Sequence, residues 1–181
     1  MSGPPLDRVV VVGISGSGKS TMAAALAERL GSAHVELDAL HWLPAWTPRP
    51  RDEFRAVVAS ALTGDRWVVD GNYSQVRDVV WPQATAIVWL DLPFAAVWWR
   101  VLARTLRRAW RRELLWNTNR ESLRLAFCSR ESILWWVLTM HGPKRRQFRA
   151  LCDAERAKGS DRWIELRSAA EADAWLASVR A

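Results

Sequence analysis

Short apolar runs alternate along the chain with longer segments whose apolar residues recur at helical spacing. Four consecutive valines, residues 9–12, lead into a Gly/Ser-rich turn, and a helical pattern follows over residues 19–30. Further strands are predicted at residues 33–38, 66–70, 86–91 and 161–166. Strands that alternate with helices predict an α/β fold, in which a parallel sheet is covered by helices on both faces.

The remaining helical patterns lie between and after these strands. They predict helices at residues 51–62, 94–112, 121–127, 131–140, 144–158 and 169–179, and a short polar helix ending at Val80. Residues 39–50 contain three prolines and two tryptophans, which predicts an irregular aromatic segment. Gly142 and Pro143 predict a break between two helices. No internal repeat or linker divides the chain, so residues 1–181 are predicted to form one domain.

The turn after the valine run carries the strongest chemical signal. Gly13, Gly18, Lys19 and Ser20 match the spacing G-x-x-x-x-G-K-[ST] of a phosphate-binding loop, or P-loop. Glycines let the backbone point N–H groups at a phosphate chain, and the helix that follows adds the positive end of its dipole. Lys19 is predicted to reach the β- and γ-phosphates of ATP, and the Ser20 hydroxyl to ligate Mg²⁺. The nucleotide is predicted to be bound by Gly13, Ser15, Gly16, Ser17, Gly18, Lys19, Ser20 and Thr21.

Lysine usage favours this interpretation over an ordinary Gly/Ser turn between a strand and a helix. The chain has 23 arginines and only three lysines, yet one lysine falls at the motif position. A forked guanidinium would replace a compact point charge poorly there.

Composition restricts the class of protein. Half of the residues are hydrophobic and a quarter are charged, which is typical of a globular domain. The N-terminus lacks a signal-peptide pattern, and the valine run is too short to cross a bilayer. Cys128 and Cys152 have neither metal-binding nor disulfide spacing. We therefore expect a cytoplasmic protein with no membrane partner.

The positive charge is concentrated in one region. The formal net charge is +7, but residues 100–149 contain 13 Lys and Arg against three Glu, a net charge of +10 that leaves −3 for the rest of the chain. Such a local excess predicts partners that carry phosphate or other negative charge.

Taken together, these segments resemble the P-loop kinases of the adenylate-kinase-like group, and in particular its adenylate-kinase-related, or topology modulation, branch. The resemblance rests on residues 13–21, 37–50, 67–73, 87–93 and 100–112. It implies a five-stranded parallel sheet in the order 2-3-1-4-5, an acceptor-side flap at about residues 39–64 and a helical, Arg-rich lid at about residues 100–145. It also implies that the γ-phosphate of MgATP is transferred to a small acceptor: a nucleotide, a nucleoside or another metabolite with a hydroxyl group.

The resemblance gives two aspartates a role. The implied strand order brings Asp70 near the Mg²⁺ held by Ser20, as a direct or water-mediated ligand. Asp38 ends the second predicted strand, where the family places the acceptor, and can take the proton of an acceptor hydroxyl. A turn or helix-cap aspartate is the alternative for Asp70, and a helix N-cap or a surface turn is the alternative for Asp38.

Aromatic and basic residues complete the predicted site. His41, Trp42 and Trp46 either line the acceptor pocket or pack the flap onto the sheet. Arg104 and Arg108 share one helix face and are predicted to clamp the transferred phosphate. The other arginines of the lid helix are Arg100, which joins that face, and Arg107, Arg111 and Arg112. A solvated surface charge is the alternative for each of the six. Arg77 follows the third strand as an arginine does in related kinases, but at a different spacing, which leaves its contact with substrate phosphate open.

Two other functions stay open. The arginine excess is interleaved with tryptophans, which would suit an ATP-binding module or ATPase that acts on nucleic acid, because aromatic rings stack on bases. These tryptophans are Trp98, Trp99, Trp110, Trp116, Trp135 and Trp136. Residues 133–138 are so apolar that burial against the sheet or a second subunit is the preferred explanation for them. The third possibility is an ATPase or nucleotide sensor with no acceptor, and the protein is expected to be a monomer or a homodimer.

Overall fold

The computed structural model describes residues 3–111, 114–115, 119–120 and 133–180, with backbone alone in its segments between residues 108 and 120. The main sheet consists of β1 Arg8–Gly13, β2 Ala33–Glu36, β3 Trp67–Asp70, β4 Ala86–Leu90 and β5 Trp163–Leu166. All neighbouring pairs are parallel, in the order β2-β3-β1-β4-β5. The predicted α/β class and the predicted strand order 2-3-1-4-5 are both confirmed.

Helices cover both faces of this sheet. The described helices are α1 Lys19–Leu30, α2 Leu37–His41, α3 Arg51–Ala61, α4 Arg77–Val80, α5 Phe94–Arg111, α6 Ile133–Arg156 and α7 Ala169–Ser178. Single 3-10 turns lie at Pro44–Trp46, Ser74–Val76 and Trp81–Gln83. Two antiparallel hairpins of two-residue strands pair Trp42–Leu43 with Thr47–Pro48, and Leu114–Leu115 with Asn119–Arg120.

The valines of β1 are buried on both sides of the sheet. Val9 and Val11 pack into a cluster that includes buried residues of α1 and α7. Val10 and Val12 pack on the opposite side, in a cluster that includes buried residues of α3 and α6. A strand in the middle of a parallel sheet with two covered faces reads as a continuous apolar run, which explains the four valines.

A third apolar cluster positions helix α5 over the turn that follows β1. Ile14 of this turn packs with Val97 and Val101 of α5 and with Leu134 and Val137 of α6. Because these side chains are all buried, α5 is held directly against the glycine-rich loop.

The second strand is shorter than predicted. β2 ends at Glu36, and Asp38 lies in the first turn of the short helix α2 instead of ending a strand. Leu37 turns into the core beside Gly71, with 3% of its surface exposed, so the chain leaves the sheet edge at this residue. The predicted irregular segment at residues 39–50 accordingly contains most of α2 and one of the two-residue hairpins.

The predicted helix break at Gly142 and Pro143 is wrong. Helix α6 runs without interruption from Ile133 to Arg156, with Pro143 inside it. Proline in a helix interior costs about 3 kcal/mol. Buried residues on both sides of it, Val137 and Phe148 among them, outweigh that cost. The helix predicted at residues 121–127 lies outside the described residues.

Candidate nucleotide and acceptor site

The glycine-rich loop joins β1 to α1 at the carboxyl edge of the sheet. Gly18 precedes α1 with a left-handed backbone, at a φ of 95°, and no described side chain caps the helix. The N–H groups of a helix's first turn have no partner inside the helix, so they are available here to an anion. The Ser17 hydroxyl oxygen is buried in the loop and has no hydrogen-bond partner in the described part of the chain. Both observations fit a cradle for phosphate oxygens.

Lys19 folds back over this loop. Its Nζ donates a hydrogen bond of 3.3 Å to the carbonyl oxygen of Ile14. Burial lowers the pKa of Lys19, an effect that Asp38 and Asp70 oppose and the positive charge of Arg104 adds to. The ammonium group therefore lies within the electrostatic influence of both aspartates that the sequence singled out.

Asp70 is bound from two sides at the end of β3. The Ser20 Oγ donates to its Oδ2 at 2.6 Å, and the Nε2 of His34 lies 2.8 Å from its Oδ1. Asp70 is only 2% exposed, and its hydrogen bond raises the pKa of His34. The sequence pointed to Ser20 and Asp70 but gave His34 no role. The parallel register of β2 and β3 could have indicated this contact. Glu36 is paired with Asp70, and His34, two residues before Glu36, lies on the same face of the sheet.

The Ser20–Asp70 pair suits Mg²⁺ in its chemistry. Hydroxyl and carboxylate oxygens are the hard ligands that this ion prefers, and it usually takes only one or two protein ligands besides phosphate and water. No group of three or more His, Cys, Asp or Glu side chains in the described chain could hold a metal on its own. The donor set therefore fits a cation that arrives with a nucleotide.

Asp38 is held by a tyrosine. The hydroxyl of Tyr73, the only tyrosine of the chain, donates to Asp38 Oδ1 at 2.6 Å. Burial and the neighbouring carboxylate raise the pKa of Tyr73, so its hydroxyl stays protonated and donates. Tyr73 lies three residues beyond Asp70, on the turn after β3, and sequence analysis assigned it no role.

The same turn is hydrogen-bonded to the beginning of the phosphate-binding loop. Asn72 accepts a 3.3 Å hydrogen bond from the backbone N–H of Gly13 and donates one to the carbonyl oxygen of Gly13. This pair of bonds ties the end of β3 to the beginning of the loop. Asn72 was also missed, because a polar residue after a strand is as typical of an ordinary turn.

The aromatic residues of the flap pack on one another. His41 is 7% exposed, and its ring contacts those of Trp42, Phe54 and Tyr73 at centroid distances of 4.4 to 4.9 Å. Burial lowers the pKa of His41, which favours the neutral ring. Trp42 and Trp46 are half-buried and meet edge to face at 5.6 Å. Packing of the predicted flap on itself and on Tyr73 accounts for these contacts, and the lining of an acceptor pocket stays a prediction.

Helix α5 brings two arginines to the loop. Arg100 Nη1 donates to the carbonyl oxygen of Ser17, and Arg104 Nη2 donates to the Ser15 hydroxyl, each at 3.3 Å. The side chain of Arg108 lies outside the described residues, as do those of Arg111 and Arg112. Arg77 is not part of this group, since its guanidinium lies over the ring of Trp81.

The tryptophan-rich basic region is only partly open to solvent. Trp99 is 67% exposed and Trp135 is 48% exposed, whereas Leu134 and Val137 are buried. The apolar run at residues 133–138 therefore has an outer face, and the prediction that it is buried holds for one side of the helix only. Trp110 and Trp116 lie outside the described side chains. Among the described helices, none is both long and apolar enough to cross a membrane.

Comparison with known proteins gives a family match and a curated relative. The family model described as an AAA domain matches residues 9–121. The uncharacterized protein YqaC of Bacillus subtilis is 32% identical over 85 residues, which are 46% of this chain and 48% of YqaC, so the match spans about half the length of that relative.

Two solved structures share the fold over nearly the whole chain. A gluconokinase from Sinorhizobium meliloti is 23% identical with a TM-score of 0.51, and the alignment covers 95% of this chain and 92% of the other. A shikimate kinase from Bacteroides thetaiotaomicron is 13% identical with a TM-score of 0.54, and the alignment covers 94% of each chain. At these identities the likeness is one of fold.

Proposed function

The chain belongs to the AAA domain family, and on that premise we propose that it is a P-loop kinase, which transfers the γ-phosphate of MgATP to a hydroxyl group of a small acceptor. The observation that carries the proposal is that two carboxylates, each held by a different hydroxyl group, both raise the pKa of the P-loop lysine, Lys19. Asp70 accepts a hydrogen bond from Ser20 and Asp38 accepts one from Tyr73, and both carboxylates oppose the lowering of the Lys19 pKa by burial. A metal-binding carboxylate and a separate basic carboxylate near one P-loop lysine suit phosphoryl transfer to an acceptor that must lose a proton.

The loop residues bind the triphosphate in this proposal. The nucleotide contacts are Gly13, Ser15, Gly16, Ser17, Gly18, Lys19, Ser20 and Thr21, of which Lys19 neutralises the transferred group. Ser20 and Asp70 hold Mg²⁺, which when bound screens the charge of the β- and γ-phosphates. Arg104 extends toward the same loop from α5, with Arg108 one turn further along the helix, and both are proposed to bind the transferred phosphate.

Asp38 acts as the general base. Tyr73 fixes one of its carboxylate oxygens, and the other faces the acceptor in our proposal. As the acceptor oxygen forms its bond to the γ-phosphorus, its proton passes to Asp38 and the bond from that phosphorus to the oxygen bridging to the β-phosphate breaks, releasing ADP. Nucleoside monophosphates would not need this base, so a hydroxyl acceptor is favoured.

The organisation of the chain follows from this site. We propose one domain over residues 1–181, with a flap at about residues 39–64 on the acceptor side and a lid at about residues 100–145 over the phosphates. Closure of the lid would exclude water from the transferred phosphate. The kinase names of the two fold neighbours agree with such a role, and within this group the adenylate-kinase-related branch is our preferred placement.

A coupled assay of ADP release tests the proposal. MgATP is supplied with nucleosides, nucleoside monophosphates, polyols and hydroxy acids in turn. We expect turnover that depends on one acceptor class and is lost in Lys19→Ala, whereas Lys158→Ala, at an exposed lysine, retains it. Full activity of Lys19→Ala would contradict the proposal, and stimulation by single-stranded nucleic acid alone would favour the ATPase alternative.

The base assignment has its own variant. Asp38→Asn keeps the size of the side chain but cannot take the proton, so kcat should fall about 100-fold or more for a hydroxyl acceptor, with the Kd for MgATP retained. Full activity of Asp38→Asn with a monophosphate acceptor would show that Asp38 is not a base.

A further inference from the structure

His34 lies on β2, the outer strand of the sheet beside β3. Its Nε2 is 2.8 Å from Oδ1 of Asp70, the last residue of β3. The backbone register pairs His34 with Val68, so the imidazole ring reaches two residues forward along β3 to meet the carboxylate. This contact joins the two strands through their side chains, at the edge of the sheet where the phosphate-binding loop also lies.

The hydrogen bond runs from His34 to Asp70. A carboxylate can only accept, so Nε2 carries the proton whether the imidazole ring is neutral or charged. The side chain of Asp70 is 2% exposed, whereas that of His34 is 26% exposed. If Oδ1 of Asp70 lost this donor, water could not readily replace it, because the carboxylate is buried. The histidine therefore satisfies an oxygen that the fold has removed from solvent.

The two oxygens of Asp70 are held from different elements of the structure. Oδ2 accepts from the Ser20 hydroxyl on α1 at 2.6 Å, and Oδ1 accepts from His34 on β2. A carboxylate has about four lone-pair positions, so these two bonds leave room on Oδ2 for a cation or for a water molecule bound to one. With one oxygen held by each element, the direction of the carboxylate is fixed.

Direction is important at a magnesium site. Mg²⁺ demands near-ideal octahedral geometry and takes few protein ligands, so a small rotation of one carboxylate changes what the site can offer. Side chains that hydrogen-bond to a metal-binding group orient it, and their loss typically weakens metal binding about 10- to 100-fold. Without His34, the Asp70 carboxylate would turn toward another donor and would no longer act in one direction with Ser20.

We propose that His34 is a positioning residue of the metal site, which holds Asp70 so that its carboxylate and the Ser20 hydroxyl act together on the Mg²⁺ that arrives with the nucleotide. This inference rests on the proposed function, in which Asp70 belongs to the metal site. His34 itself contacts neither the metal nor the acceptor. Because β2 leads directly into α2, the strand that orients the metal-binding carboxylate also leads to Asp38, the proposed base.

Substitutions at His34 can separate the hydrogen bond from the rest of the side chain. In His34→Gln the amide nitrogen is separated from the backbone by as many bonds as Nε2 and can donate to Asp70, whereas His34→Met has a similar length and no donor. His34→Val is a second variant without a donor, and valine suits a strand. The control is His141→Met, since His141 is also partly buried but its Nε2 contacts the carbonyl oxygen of Leu92.

The test measures how much the metal contributes to nucleotide binding. The Kd for a non-hydrolysable ATP analogue is determined by calorimetry for each protein, once with excess Mg²⁺ and once with EDTA. The ratio of the two Kd values gives the gain in affinity that Mg²⁺ provides, and it cancels any change that affects both measurements equally. The thermal unfolding midpoint without ligands shows that each variant is folded, and two variants without a donor keep the test decisive if one does not fold.

We expect Mg²⁺ to tighten binding of the analogue to the wild type. This gain should be about tenfold smaller in His34→Met and His34→Val, whereas His34→Gln and His141→Met should keep it. A merely structural role in the sheet would lower the unfolding midpoint and leave the gain unchanged.

Three results would overturn the inference. They are the absence of any gain in the wild type, an undiminished gain in the variants without a donor, and a loss in His34→Gln as large as that in His34→Met. Turnover of a hydroxyl acceptor combined with an undiminished gain would refute the positioning role and keep the kinase. A diminished gain in the variants without a donor, with no turnover of any acceptor by the wild type, would keep the positioning role and refute the kinase.

Discussion

Gly16 is the point at which the phosphate-binding loop touches helix α5, and its substitution by alanine tests that contact. Its φ is +84°, and an added Cβ would lie 2.1 Å from Cγ2 of Val101 and 3.2 Å from the carbonyl oxygen of Val97. Real Cβ atoms do not approach another carbon to 2.1 Å, so either the loop or α5 must move.

The magnitude follows from two contributions. A left-handed backbone costs a non-glycine residue about 1 to 2 kcal/mol, and overpacking of a tight contact costs about 1 to 3 kcal/mol. Gly16→Ala should therefore lower the free energy of unfolding by about 2 to 5 kcal/mol. Displacement of α5 should also draw Arg100 and Arg104 away from the loop, which would raise the Kd for MgATP.

The assay is a double-mutant cycle with Val101→Ala, which removes the methyl group that Gly16→Ala would strike. Urea denaturation gives the free energy of unfolding of the wild type, both single variants and the double variant. Because the clash is absent from the double variant, its loss should be smaller than the sum of the single losses by about 1 to 3 kcal/mol. Losses that add to within about 0.5 kcal/mol would refute the contact between the loop and α5.

Three further predictions concern the site and the sheet edge. Tyr73→Phe removes the hydrogen bond to Asp38, and hydrogen bonds to charged groups contribute about 1.5 to 3 kcal/mol. The value of kcat/KM for the acceptor should therefore fall about tenfold or more, with the Kd for MgATP unchanged. Kinetics equal to those of the wild type would contradict the role of Tyr73 in positioning Asp38. Burial raises the pKa of Glu165, but hydrogen bonds from Arg149 and a second arginine outweigh this and hold it at about 2, below the ordinary value of 4.5. The stability it contributes is therefore present above pH 4.5 and lost as the pH falls toward 2, so Glu165→Gln should flatten the acid side of the unfolding profile, and an identical profile would exclude this ion pair as its cause. Asp70→Asn should weaken Mn²⁺ binding in the presence of ATP, measured by electron paramagnetic resonance, and equal affinity would remove Asp70 from the metal site.

The sheet was predictable because its signals are local. A buried parallel strand needs a run of apolar residues, and the loop chemistry follows from glycine, lysine and serine at fixed spacing. The end of β2 was not predictable in this way, since Leu37 leaves the strand to pack against Gly71, a residue 34 positions further on. Pro143 was misread for a related reason, because the contacts that keep α6 intact join it to β4 and α5.

The hydrogen-bond partners of the site residues could not be predicted from the sequence. Ser20 and Asp70 carry a recognisable pattern, but His34 and Tyr73 acquire their neighbours only when β2, β3 and α2 come together. Single histidines and tyrosines occur in too many settings for their type alone to predict a contact. Charge compensation is equally hidden, since Arg77 and Arg55 look alike in the sequence, and of the two only Arg55 forms an ion pair with a carboxylate among the described residues.

The turn after β3 affects how the nucleotide side and the acceptor side of the proposed site keep their relative positions. Together with the last residue of β3 it provides three contacts within four consecutive residues: Asp70 accepts from Ser20 of α1, Asn72 binds the backbone of Gly13, and Tyr73 donates to Asp38. The spacing of these three attachments is set by covalent bonds, so thermal motion of the turn carries both halves of the site together. Inserting one glycine between Asp70 and Tyr73 would change that spacing while leaving every side chain present. Nucleotide and acceptor could then still bind, but Asp38 and the phosphate-binding loop would no longer be held in the relative positions that transfer requires.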